Sequence, residues 1–127
     1  VSLEAAPDAN NPLCAEITVR LPQQLGGENK RVTDAQATGA WGEPSAIIVR
    51  CGLPEVDAST LKCVTVENVD WLVDPSKAPN YRFITFGRNP ATEVIVDSKR
   101  VAGVDVLTDL ALPVQNIPAN RTCTAVG

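Results

Sequence analysis

RCGLPEVDASTLKC, residues 50–63, sets two cysteines twelve positions apart around a segment of turn composition. The run before it, PSAIIVRC at 44–51, is short, apolar and β-branched, and Pro44 and Gly52 bound it as they would a buried strand. The run after it, KCVTVENVDWLVD at 62–74, is β-rich again, with Val64, Val66, Val69 and Leu72 suggesting one buried face and a break near Asn68. GLPEVDAST between them then reads as a hairpin tip, which brings Cys51 and Cys63 opposite each other on paired strands. That reading makes residues 45–73 the centre of a small antiparallel sheet.

Outward from this centre, YRFITFG and ATEVIVD at 81–97 form a second hairpin around the turn signal GRNP. GVDVLTDLALPVQNI, 103–117, puts Val106, Leu107, Leu110 and Val114 at helical spacing, with Asp105 and Asp109 on the solvent side and Pro113 bending the end. NPLCAEITVRLPQQL, 11–25, offers Asn11 as N-cap, Pro12 at the first helical position and Leu13, Ile17 and Leu21 along one face. Residues 27–44 are polar and small, so they read as a connection with at most a helical turn at 33–38. The expected fold is α+β: one small domain with an antiparallel sheet of about four strands, an N-terminal and a C-terminal helix packed on it, and two disulfides. Residues 1–11 read as a flexible tether and 12–127 as the domain.

A length of 127 residues suits one core. Ten prolines, eight glycines and five aromatic residues describe a turn-rich chain whose interior is built from aliphatic side chains. A net charge of -4 argues against nucleic acid, which is held by Lys and Arg neutralising phosphate. No Met occurs, so the chain is expected to be a trimmed product whose anchor or export signal lay upstream. The apolar runs are too short to span a bilayer, leaving the membrane accessible only through that missing segment.

Cys14, Cys51, Cys63 and Cys123 lack the close CxxC spacing of a structural zinc site or a thioredoxin-like pair. Two disulfides in an oxidising compartment fit better. Of the three connectivities, the hairpin reading selects Cys51 with Cys63 and Cys14 with Cys123.

The chain contains no histidine, so hydrolytic schemes lose their usual base and zinc enzymes their most frequent ligand. Glu67, Asp70 and Asp74 around Trp71 resemble a glycosidase carboxylate set beside an aromatic platform, but acidic residues near a strand end are more often solvated. Arg82, Arg88 and Arg100 offer guanidinium groups to an anion, although scattered surface arginines are commoner. Trp41 reads as cover for the sheet edge more readily than as a partner's anchor. Catalytic, metal and cofactor residues are therefore expected to be none, and Trp41, Trp71, Asp70 and Arg88 are the candidate binding residues.

PLCAEITVRLPQQLGG, AWGEPSAIIVRCG, NVDWLV and FITFGRNPATEVIV together resemble DUF3515, a family of functionally uncharacterised actinobacterial proteins. The resemblance runs from about Pro12 to Cys123. It implies an exported protein at the outer face of the cytoplasmic membrane or secreted, held by an N-terminal hydrophobic segment or lipid, and it supplies no activity. The expectation is a non-enzymatic cell-envelope domain that docks on an envelope or membrane protein. A small-ligand binder for an envelope precursor or carbohydrate is the alternative, and a carboxylate-dependent hydrolase is a weaker one. An exposed apolar patch at Trp41 or Trp71 would favour docking; a concave pocket with convergent polar groups would favour a ligand.

Overall fold

The computed structural model describes residues 1–56 and 59–123. Helix α1 (Pro12–Thr18) starts where the sequence places it: the Asn11 side chain accepts a 2.9 Å hydrogen bond from the Leu13 N–H, and Pro12 occupies the first turn. It ends sooner than the apolar spacing suggests, and the chain turns into β1 (Gln24–Leu25) and β2 (Glu28–Arg31). The strands β3 (Thr38–Trp41), β4 (Ile47–Leu53), β5 (Lys62–Val66), β6 (Val69–Asp74), β7 (Asn80–Thr85) and β8 (Ala91–Asp97) follow, and α2 (Gly103–Val114) comes last.

Among the described residues the strands form one sheet of eight, every neighbouring pair antiparallel, in the order β1-β2-β3-β4-β8-β7-β6-β5. This corrects the expected four-stranded α+β layout: the protein is mostly β, with two short helices. The polar stretch expected to be a connection supplies β2 and β3. β3 is buried throughout because it is made of small residues around Trp41, and the carbon that a Cβ on Gly39 would add lies 2.9 Å from both Leu21 and Trp41.

The segment after Cys51 is not a hairpin tip. β4 pairs with β3 and β8, and the chain then crosses to the far edge to lay down β5, whose only strand partner among the described residues is β6. Residues 57 and 58, part of the expected tip, lie outside the described residues. The true hairpin is β5–β6, closed by Glu67 and Asn68 at φ +49° and +69°. Two left-handed residues give the turn twist that two-residue hairpins favour. The β7–β8 hairpin pairs as the sequence suggests, with Phe83 opposite Val94.

The disulfides follow the topology, and the expected pairing is corrected. Cys14 bonds Cys51 and Cys63 bonds Cys123. Cys51 points to the face where α1 packs, whereas Cys63 belongs to the apolar cluster on the other face. The sheet's inner face carries Ile47, Val49, Trp71, Phe83, Val94 and Val96 against α1 and α2. From α2 come Val106, Leu107, Leu110 and Val114, all buried as their spacing implies. Each such fully buried aliphatic side chain contributes about 1.5–3 kcal/mol of transfer free energy.

The outer face is only half covered. Leu72, Ile84 and Ala91 lie beneath Leu53, Val56, Leu61 and Phe86, and the segment through Cys123 crosses the same end. Residues 1–11, read as a tether, run along the sheet: Ala6 and Ala9 are buried, and the Asp8 N–H donates to the Gly52 carbonyl at 2.9 Å.

Candidate functional site

Alternation along a strand sends every second residue to the same face, so polar residues set inside apolar runs mark where the sheet is not covered. Arg50 in β4 and Glu93 in β8 are such residues, and they are direct register partners. Arg82 in β7 and Asp74 in β6 are register partners on the same face. Four adjacent strands thus carry Arg50, Glu93, Arg82 and Asp74 in a row of alternating charge.

This row forms part of a cavity of about 480 Å³ on the open half of the outer face. Ile48 and Ile95 give it an apolar floor, Leu3 and Glu4 one wall, and Ser76, Lys77 and Asn80 another. Glu93 lies deepest, its side chain 7% exposed. Its Oε2 accepts from Arg82 Nε, and its Oε1 lies 3.3 Å from Arg50 Nε, a charge contact without hydrogen-bond alignment. Arg50 also donates through Nη1 to the Glu4 carbonyl at 3.2 Å.

The two arginines are a quarter and a third exposed. Arg82 spends only Nε on a protein partner, and both terminal nitrogens remain without one among the described residues. A guanidinium presented this way offers a planar fork that matches a carboxylate or phosphate. Asp74 accepts from the Ser76 N–H at 3.0 Å, and that bond, assisted by the nearby Arg82 and Lys77 charges, holds its carboxyl below the usual value.

A family model described as a protein of unknown function, DUF3515, matches residues 1–122. The chain belongs to this family. Neither the curated proteins nor the solved structures contain a match.

A smaller cavity of about 310 Å³ lies on the same face, beneath the C-terminal segment. Asp70 and Arg88 both line it and form no ion pair with each other. Asp70 accepts from the Thr65 hydroxyl and the Cys123 N–H, each at 2.6 Å. Arg88 is buried, donates to the Ile117 carbonyl, and has a lowered pKa because burial disfavours its charge, with Asp70 opposing the shift. Its visible role is to hold the residues after α2 against the sheet.

Trp41 and Trp71 are fully buried on the inner side. The Trp41 Nε1–H donates to the Pro22 carbonyl at 2.9 Å, and the Trp71 Nε1–H has no partner among the described residues. The candidate residues are therefore not gathered in one place: the tryptophans face the core, while Asp70 and Arg88 face the small cavity. Asp70 and Asp74 share a face of β6, and Trp71 turns to the opposite one, so the carboxylates gain no aromatic platform. Arg100 lines neither cavity and pairs with Glu28 at 2.8 Å. Sequence reasoning missed Arg50 and Glu93, although each interrupts a β-branched run at an alternating position.

The two disulfides of this chain are consistent with an extracytoplasmic location.

Proposed function

We propose that this chain is a non-catalytic, extracytoplasmic ligand-binding domain of the cell envelope, whose small-molecule ligand enters the cleft over Glu93 and presents an anionic group to Arg82. The observation that carries the reading is the Arg50–Glu93–Arg82 set beside an apolar floor. Small-molecule sites are concave, about 300–1,000 Å³, mostly apolar and fitted with a few oriented polar groups. The cleft answers that description, and Glu93 is committed to two guanidinium contacts rather than to proton transfer. A role in docking on an envelope or membrane protein stands second, because the tryptophans that would have marked such a patch are buried.

The test is an amide-resolved NMR titration of the intact chain with acetate, hexanoate, phosphate and glucose. Saturable shifts confined to Ile48, Arg50, Arg82, Glu93 and Ile95, lost in Arg82→Gln, support the cleft. Shifts scattered over the surface, or none at tens of millimolar with these probes and with a free amino acid alike, would sink it.

A further inference from the structure

Asp74 and Arg82 are direct partners across β6 and β7, a position at which opposite charges ordinarily meet. Here they do not: among the described residues no ion pair joins them. Asp74 is drawn to the Ser76 N–H, and Arg82 directs its Nε to Glu93 on the other side. A negative and a positive pole are left on neighbouring strands without neutralising each other, both lining the same cavity. Ile95, the register partner of both Arg82 and Ile48, begins the apolar floor immediately beside them.

We infer that the cleft takes a zwitterion, specifically a free α-amino acid with a bulky aliphatic side chain. This rests on the reading of the cleft as a ligand site and deepens it. The ligand's carboxylate occupies the terminal fork of Arg82, its ammonium donates to Asp74, and its side chain lies over Ile48 and Ile95. The chemistry of the cleft selects this class over its relatives. Among the charged side chains lining it, Arg50, Lys77 and Arg82 are balanced by Glu4, Asp74 and Glu93, so a ligand of single sign meets an unfavourable partner wherever it meets a favourable one. A simple carboxylate leaves Asp74 facing its own apolar chain, and a simple amine leaves the fork of Arg82 empty, so each forgoes one of the two charge-assisted contacts. A peptide separates its two termini and cannot serve both poles from one carbon.

The experiment is calorimetric and NMR titration of the intact protein with L-leucine, with 4-methylpentanoate, which lacks the amine, and with 3-methylbutylamine, which lacks the carboxylate. Leucine is expected to bind at least tenfold more tightly than either analogue. Asp74→Asn is expected to weaken leucine tenfold while leaving 4-methylpentanoate within about twofold, and Arg82→Gln to weaken both. Equal affinity for leucine and 4-methylpentanoate would overturn the inference and leave a plain anion cleft. Leucine binding unchanged in a folded Asp74→Asn variant would overturn it as well. No binding of leucine at tens of millimolar would also overturn it, and any cleft shifts with hexanoate would then show that the broader reading survives. The three-probe comparison uses the wild-type chain alone, so it does not depend on the variants folding.

Discussion

Cys51 and Cys63, twelve positions apart in the chain, lie on opposite faces of the sheet with β8, β7 and β6 between their strands. They cannot meet. Each finds a partner on its own side, Cys14 in α1 and Cys123 beyond α2.

Peptide mapping of the unreduced protein should therefore yield Cys14–Cys51 and Cys63–Cys123 fragments. A Cys51–Cys63 fragment would contradict the topology itself. The bonds enclose 37 and 60 residues of sequence separation, so in the chain-entropy model each contributes about 4 kcal/mol. Paired Ser replacements at either bond should lower the unfolding free energy, read by urea denaturation, by an amount of that order.

Glu93 is the charge on which two guanidinium groups converge. Glu93→Gln keeps its shape and removes the charge, leaving Arg50 and Arg82 facing each other across an uncharged amide. The expected loss is about 1–3 kcal/mol, moderated because both arginines retain contact with water. Urea denaturation of the variant measures it, and an unchanged midpoint would show that the contacts are net neutral.

The two buried indoles differ in one respect. Trp41→Phe removes a hydrogen bond and strands the Pro22 carbonyl, whereas Trp71→Phe removes an N–H that has no partner among the described residues. Trp41→Phe should cost more by about 1–2 kcal/mol, since a buried acceptor left unpaired carries its desolvation penalty. Equal losses would mean that the hydrogen bond contributes nothing net.

Asp34, Glu55 and Asp74 all have lowered pKa values. Asp34 accepts from the Leu3 N–H, Glu55 is paired with Arg121 and then Asn120, and Asp74 accepts from the Ser76 N–H. A lowered folded-state value means that ionisation favours the fold. The contribution is complete above the ordinary values of 3.8 for Asp and 4.5 for Glu and is lost as pH falls through the lower folded values. Stability should hold from neutrality to about pH 5 and decline below it, and carbon-detected NMR titration should find these three carboxyls under those ordinary values.

Gly87 has φ +78°, and a Cβ there would sit 2.1 Å from the Arg121 carbonyl oxygen. Gly87→Ala must strain the backbone and push the C-terminal segment away, at a cost of about 1–3 kcal/mol or more. The Asn120 N–H, which donates to the Gly87 carbonyl at 2.7 Å, should exchange with solvent faster as a result.

Local features were legible where one residue type has one physical use. Asn11 and Pro12 announce a helix start, the spacing in 103–114 announces a buried helix face, and GRNP announces the β7–β8 turn. Topology was not legible, because a turn-like composition between two β-branched runs fits a crossover as well as a hairpin. Strands β2 and β3 stayed hidden for a different reason. ENKR is a polar strand pairing through its backbone, and TGAW is buried by being small, so neither shows the alternation by which strands are recognised. The cleft was half visible: Arg82 stood among the candidate arginines, but its meaning depends on Glu93 and Asp74, which only the register brings beside it.

The strand order also bears on how the chain comes together. β1 to β4 form one ribbon and β5 to β7 another, and the two touch through the last strand made, β8. Until β8 is available, neither ribbon has its inner edge paired, and both present open backbone to any passing strand. The closing event is thus an insertion in the middle rather than a growth at the rim. A nascent chain halted before residue 91 would be two separate ribbons without the strand that joins them.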